Sequence, residues 1–439
     1  MIHLKKNRIY KGTKQFLVLA LFIVGAIDSA AASDVVIEGK VLTLEECIQI
    51  GLKTNPARDI AVQNYNIAGE KIGEARGPYY PVFKLSASYE NKPPPPMTLT
   101  GLYDERVTVK QLLFDAGATS YSLENAKHNM EAQKHDVKRA ELDIVLSITT
   151  AFYEILKRQD ITAVTKAALK TAEIHVEQTK TLYQQGLAPR SDVLKMEVQL
   201  SNAKLDVIKA AGDLLLAKAT LSAALGLSAT TDFEVRESKM RGDKDALPLI
   251  EDLKNIAYGQ RPELRVSSEK IAASTAAIDQ VKRSKYPNLS FEASYGYQKR
   301  VDFTKEEKWS VGLNLTLPVF EQLIAQSKLN QAVAGKEALS AIDVQLRRSI
   351  ELEIYQSWLG LKNGIEKMQV TKITLDQAMQ DMHTSEGRYK EGTGNIVEIM
   401  DSQTVVTQAA INNVIALYDV ANARARLNRA VGNQMGYGQ

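Results

Sequence analysis

Residues 286–298 read Tyr286-Pro-Asn-Leu-Ser-Phe-Glu-Ala-Ser-Tyr-Gly-Tyr-Gln298, and residues 80–89 read Tyr80-Pro-Val-Phe-Lys-Leu-Ser-Ala-Ser-Tyr89. In both, a Tyr-Pro pair opens a run in which apolar and polar side chains alternate, the period of a strand with two unlike faces. The second run lies 206 positions after the first. The same offset carries Asn55-Pro56 onto Arg261-Pro262, Phe114 onto Phe320, Tyr183-x-x-Gly186 onto Tyr389-x-x-Gly392, and Leu225-Gly226 onto Val431-Gly432. One gapless offset through all these pairs marks an internal duplication.

The alternation is clearest in the second copy. Leu289, Phe291, Ala293, Tyr295 and Tyr297 alternate with Ser290, Glu292, Ser294, Gly296 and Gln298. Trp309, Val311, Leu313, Leu315 and Leu317 alternate with Ser310, Gly312, Asn314 and Thr316. Strands of about ten residues with aromatics near their ends match the outer-membrane barrel pattern. An antiparallel hairpin with one solvated face reads the same way. The expected strands are 82–90, 103–113, 288–299 and 308–318, and the run Lys92-Pro93-Pro94-Pro95-Pro96 reads as an extended loop.

Helices occupy the rest of each copy. The first runs from about Leu44 to Gly77, with Pro56 in a first turn and Gly77-Pro78 as a stop. From Ala116 to Gln185 no proline interrupts, which predicts a rod of about 100 Å at 1.5 Å per residue. Val145, Ile148, Phe152 and Ile155 form a coiled-coil-like seam, echoed by Ile342, Leu346, Ile350, Ile354, Trp358 and Leu361. Gly186-Leu187-Ala188-Pro189 turns the chain into a helix opened by Ser191 or Asp192 as N-cap and ended by Gly226. That helix and the one from Pro56, stacked end to end, would nearly match the long rod beside them. The fold class is therefore mixed but mainly α: an internally duplicated long-helix barrel with four strands per chain.

The N-terminus reads as a signal peptide over residues 1–32. Lys5, Lys6, Arg8, Lys11 and Lys14 precede an apolar stretch from Phe16 to Ile27, and Ala30-Ala31-Ala32 offers a cleavage site before Ser33. A buried N-terminal helix is the alternative. The expected domains are a first repeat at 33–226, a linker at 227–247, a second repeat at 248–432 and a tail at 433–439.

Composition narrows the function. A net charge of +3 gives no support to a nucleic-acid role. The single cysteine, Cys47, cannot form an intramolecular disulfide and reads as a small apolar helix residue. His128, His135, His175 and His383 are scattered without paired ligand spacing, so no metal is expected. Gly392-Thr-Gly394 follows no strand, and no nucleophile elbow is present. No catalytic residue, cofactor or enzymatic activity is expected.

With these motifs in order and repeated twice, the chain resembles the TolC family of outer-membrane efflux and secretion channels. The resemblance rests on Leu42-Thr-Leu-Glu45 with Thr54-Asn-Pro56, the two Tyr-Pro pairs, Leu317-Pro318-Val-Phe320, and above all the turns Tyr183-Gln-Gln-Gly186…Asp192 and Tyr389-Lys-Glu-Gly392…Glu398. It implies a homotrimer with a twelve-stranded barrel in outer-membrane lipid, continuous with a periplasmic helical tunnel. It also implies docking of a periplasmic adaptor (membrane fusion) protein and an inner-membrane pump of the RND or ABC type. By the same resemblance Glu398 and Asp401 form an entrance ring, while Asp192 and Tyr389 help hold the aperture closed. The arginine it implies two residues after the second turn glycine is replaced by Gly394, and Arg190 stands in the other copy, so a weaker latch is expected. The turns Gly186, Leu187, Ala188, Pro189, Arg190 and Gly392, Thr393, Gly394, Asn395 are the implied adaptor contacts.

From the residues alone, Glu398 and Asp401 are also plain N-terminal helix acids favoured by the dipole, and the turns are also ordinary helix hairpins. In the first copy the acid pair becomes Asp192 and Lys195, so only the second offers two acids. A periplasmic coiled-coil structural or adaptor-like protein without a pore is the other reading.

Overall fold

The computed structural model describes residues 39–92, 100–236, 247–300, 305–319 and 322–433. The expected signal peptide, the prolines 93–96, Phe320 and the tail beyond residue 433 lie outside them. From its first helix onward, each repeat has the same order of helices and long strands. The first contains β1 (Val41–Leu42), α1 (Leu44–Thr54), α2 (Pro56–Arg76), β2 (Val82–Lys92), β3 (Thr100–Phe114), α3 (Ala118–Gln184) and α4 (Arg190–Leu225). Between the repeats β4 (Glu234–Val235) pairs in parallel with β1. The second contains α5 (Ile250–Gln260), α6 (Pro262–Arg283), β5 (Asn288–Arg300), β6 (Glu306–Thr316), α7 (Gln322–Lys390) and α8 (Ile396–Val431). β6 stops one residue short of Leu317, whose expected place in the strand is not realised, because Pro318 has no N–H to continue a ladder.

Local sequence explains the boundaries. Thr43 and Glu46 form a reciprocal capping box that opens α1. Asp115 accepts hydrogen bonds from the N–H groups of Gly117 (3.0 Å) and Thr119 (2.7 Å), starting α3 without a cap at Gly117. α4 differs from expectation: its cap position is Pro189, with no side-chain hydrogen bond, and Ser191 and Asp192 both lie inside the first turn. Proline holds an extended residue before the helix and sets its start, so no hydroxyl or carboxylate was needed.

In the seam of α3, Ile148, Phe152 and Ile155 are buried, while Val145 is half-buried and Ile144 takes the inner place. They pack with Cys47, Leu221, Leu225, Phe233 and Tyr418 into the larger core. Burial pushes the Cys47 thiol up to about 12, with the Glu46 charge adding to it, so the thiol is inert filler. In α7, Ile350, Ile354 and Leu361 form the second core with Leu253, Leu264 and Leu427, whereas Ile342 stays exposed in the single chain.

The short helices do stack end to end. The last turn of α4 abuts the first of α2: Asn55 caps α2 by accepting from the Ala57 N–H (2.8 Å), and its amide donates to the Ala224 carbonyl (2.7 Å). Thr54 Oγ1 donates to the Leu225 carbonyl at 2.6 Å. Gly226 closes α4 at φ +78°, where a Cβ would stand 2.5 Å from the Thr54 carbonyl oxygen. Gly432 closes α8 at the same φ against Arg261. The stacked pair of 21 and 36 residues nearly matches the 67 of α3.

The four long strands form one antiparallel sheet in the order β2-β3-β5-β6. The register separates its faces. One carries Phe83 and Leu85, Val107 and Val109, Phe291 and Tyr295, Trp309, Val311 and Leu313, with Trp309 73% exposed and Leu85 76%. The opposite face is a shallow groove lined by Lys84, Ser86, Asp104, Arg106, Lys110 and Glu292 among others. The outer edges of β2 and β6 have no partner strand among the described residues. No helix among them is long and apolar enough to cross a membrane.

Candidate functional site

The two helical hairpins end in nearly identical turns. Gly186 (φ +74°) and Gly392 (φ +73°) are left-handed, and the N–H groups of Leu187 and Thr393 reach back to the carbonyls of Leu182 (2.8 Å) and Arg388 (2.9 Å). These paired bonds are the Schellman closure that the Tyr-x-x-Gly motif encodes. Leu187, Pro189, Arg190, Gly392, Thr393 and Asn395 are exposed at the tips, and Ala188 and Gly394 are half-buried. Asn395 caps α8 by accepting from the Val397 N–H at 3.1 Å.

The second turn is tighter than its composition suggests. A Cβ at Gly394 would stand 2.9 Å from the Tyr389 nitrogen and 3.0 Å from the Arg388 carbonyl carbon. An arginine at this position could not fit this turn. A guanidinium is supplied instead by Arg388, whose Nη2 lies 3.7 Å from Glu398 Oε1. Sequence reasoning missed Arg388; its signal was a base directly before the turn tyrosine, ten residues ahead of the acid.

The repeated tyrosines have different environments. Tyr183 is 45% exposed. Tyr389, on α7, lies beside Thr179 on α3 and near Asp192 on α4. Burial pushes its phenol above the ordinary value and the Asp192 carboxylate adds to this, against the opposing effect of Thr179. Tyr389 and Asp192, singled out separately, are thus brought together across the two hairpins.

Around this contact Val176 and Met196 from one hairpin pack with Met382, Ile396 and Ile399 from the other. Each such side chain contributes about 1.5–3 kcal/mol when fully buried. This apolar plug was not foreseen, because its members come from four helices and share no motif. Below it, Ser402 Oγ donates to Asp381 Oδ2 at 2.8 Å and shares a hydrogen bond with buried Ser385. Asp192 pairs with Lys195 at 3.8 Å. Asp401 is exposed one turn after Glu398 on the same helix. Among the described residues no group of three His, Cys, Asp or Glu is placed to hold a metal ion.

The arrangement is a pair of rigid rods joined at their tips by one apolar plug and a few polar links, with acids and exposed turns at the end. Such a contact can open by sliding helices apart without breaking any covalent or metal bond. Comparison with known proteins agrees with this architecture. The family model described as outer membrane efflux protein matches residues 48–227 and 253–433. Protein CyaE of Bordetella pertussis is 23% identical over 412 residues, covering 89% of this chain and 84% of its own. Outer membrane protein TolC of Escherichia coli is 21% identical, covering 86% of this chain and 80% of its own. The solved CmeC outer membrane channel of Campylobacter jejuni superposes with a TM-score of 0.76 at 16% identity, over 89% of this chain and 85% of that one.

Proposed function

The chain belongs to the outer membrane efflux protein family, and on that premise we propose that three copies assemble into a passive conduit gated at its helical tips. It is an outer-membrane channel for efflux or secretion. The observation that carries the trimeric reading is the four-stranded sheet. One face is apolar and exposed, the other polar, and neither edge has a partner strand among the described residues. Open edges are forbidden in lipid, and four strands cannot close on themselves. Three sheets joined edge to edge give twelve strands, apolar outward and polar toward the lumen. The exposed apolar residues along α4, such as Leu194, Val198, Leu205 and Ile208, then meet neighbouring copies in the tunnel wall.

At the tip, Glu398 and Asp401 from three copies place six carboxylates around the axis and favour cations at the entrance. Tyr389, Asp192 and Thr179 hold the hairpins together, and Arg388 restrains Glu398 within its own hairpin rather than across to a neighbour. The turns Gly186–Arg190 and Gly392–Asn395 receive a periplasmic adaptor, which couples the channel to an energised inner-membrane pump.

The test is the purified protein in a planar bilayer, with its mass measured in detergent. A trimer with low basal conductance that rises in Tyr389→Phe and Asp192→Ala is expected. A monomer soluble without detergent overturns the channel and favours the pore-free coiled-coil reading. A closed baseline unmoved by both substitutions overturns the gate assignment alone.

A further inference from the structure

On the polar face of the sheet, strand register sorts the charges by height. Directly paired residues form rungs across β2, β3, β5 and β6, and successive rungs on one face stand about 7 Å apart. Near the helical end Lys110 and Glu292 share a rung, Lys84 stands on the next beside Thr108, and Arg106 and Lys308 share the third. A fourth rung, farther from the helices, carries Asp104 and Glu306. The three inner rungs therefore set four cations against one carboxylate, and the rung outside them is acidic.

These cations are not equally satisfied. Arg106 pairs with Asp104 and Lys308 with Glu306, each at 3.0 Å, so the acidic rung offsets the third one. Lys84 and Lys110 are exposed and form no ion pair among the described residues, although Glu292 faces Lys110 in register. They stand diagonally across β2 and β3, a backbone spacing of about 7–8 Å. Two ammonium groups that close repel each other, and an anion held between them relieves the repulsion. Both line a groove of about 530 Å³ together with Ser86 and Thr108, whose hydroxyls can donate to an oxyanion.

We propose that Lys84 and Lys110 form an oxyanion-binding belt inside the barrel, which takes a phosphate or carboxylate group of a passing molecule. The proposal rests on the barrel reading above, under which the polar face lines the lumen and three copies close the belt into a ring. Rings of lysine or arginine favour anions in a pore, and low-dielectric walls concentrate their field. The belt is thus opposite in sign to the Glu398 and Asp401 carboxylates at the helical tip. A cargo that crosses both meets a cation-favouring entrance first and an anion-favouring exit second.

The experiment titrates the detergent-solubilised full-length protein by calorimetry with sodium tripolyphosphate and, separately, with citrate, which stand in for phosphate and carboxylate groups. Saturable binding is expected at low salt and should fade at high salt, where the Debye length shrinks. Lys84→Gln and Lys110→Gln should each weaken it by about tenfold, the size of one charge-assisted contact. Lys299→Gln, on the apolar face across from Tyr103, should bind as the wild type does. Binding of either anion with this pattern supports the belt and names its preferred group. No saturable heat with either anion, equal affinity in the wild type and both belt variants, or an equal loss in Lys299→Gln overturns it. In a planar bilayer under a KCl gradient, the reversal potential of the double variant should shift toward cation selectivity. A potential left unmoved overturns the belt's place in the conduction path. A wild type that forms no channel overturns the functional reading instead, and the titration still decides the anion site, because the groove lies within one chain.

Discussion

The two places where a short helix stacks on the end of another have the same geometry and opposite chemistry. Where α4 meets α2, the nearest charges are the partly exposed pair Arg58 and Glu141, at 2.9 Å, and the helix ends themselves are joined without charge. Asn55 bridges the two helix ends, and the positions equivalent to the charges of the other joint hold Ala57, Ser147 and Ala223. Where α8 meets α6, Arg261 stands at the position of Asn55 and is 4% exposed. It donates to the Arg429 carbonyl (3.1 Å) and pairs with Glu353, while Arg429 pairs with Glu263 and Asp143, each at 2.7 Å. One joint is held by hydrogen bonds to helix ends, the other by a charge network centred on the buried Arg261, with Glu353 and Asp143 at its exposed rim. The difference shows that backbone geometry was preserved through duplication while its chemical support was rebuilt.

The comparison can be broken most severely at Arg261. Arg261→Met should leave Glu263 and Glu353 short of compensation and cost about 3–5 kcal/mol, the usual penalty for removing one partner of a buried pair. Thermal unfolding of the detergent-solubilised protein reads it, and a loss no larger than that of an exposed arginine would show the network to be ornamental. Next come the two closing glycines. Gly226→Ala should cost on the order of 1–3 kcal/mol from the left-handed backbone, with a further cost from the collision with Thr54. Gly432→Ala shares the φ of +78° but meets its nearest atom at 3.1 Å, so it should cost less. Equal losses would mean that closeness at the first joint carries no energy.

Asn55→Ala should cost about 1 kcal/mol, a lost N-cap, and should raise amide exchange in the first turn of α2. Exchange unchanged there would contradict the bridging role. The smallest effect is the response to acid. Burial pushes the Glu263 carboxyl up, but the charges of Arg429 and then Arg261 outweigh it and hold it below the usual carboxylate range. A depressed folded value gives stability that is present above the unfolded value of about 4.3 and lost as pH falls through the folded one. Exchange in α6 should therefore rise in acid before that in α2, and simultaneous loosening would place the acid sensitivity elsewhere.

Much of this was legible from one offset of 206 residues. It located both hairpins, both turns and the strand pairs, because turn glycines and alternating side chains act over a few residues. It paired Asn55-Pro56 with Arg261-Pro262 but could not reveal the changed support, since Arg261 finds Glu353 and Arg429 on distant helices. The contacts proposed as the gate divide in the same way. Asp192, Tyr389 and Glu398 stood in recognisable places. Arg388 did not, nor did the apolar plug, because only packing brings α3, α4, α7 and α8 together. The misplaced start of α4 has a local cause: Pro189 fixed the extended residue before the helix, which left Ser191 and Asp192 to its first turn.

The edges of β2 and β6, without a partner strand among the described residues, also set a timetable. A single chain waiting outside the lipid shows water both a row of unused backbone groups and an apolar face that includes Trp309 and Leu85. Such a sheet adds strands from whatever chain it meets, so aggregation competes with correct closure for as long as the wait lasts. Assembly must therefore be fast or escorted, and the lone protomer is a transient on the way to the channel rather than a species the cell can store.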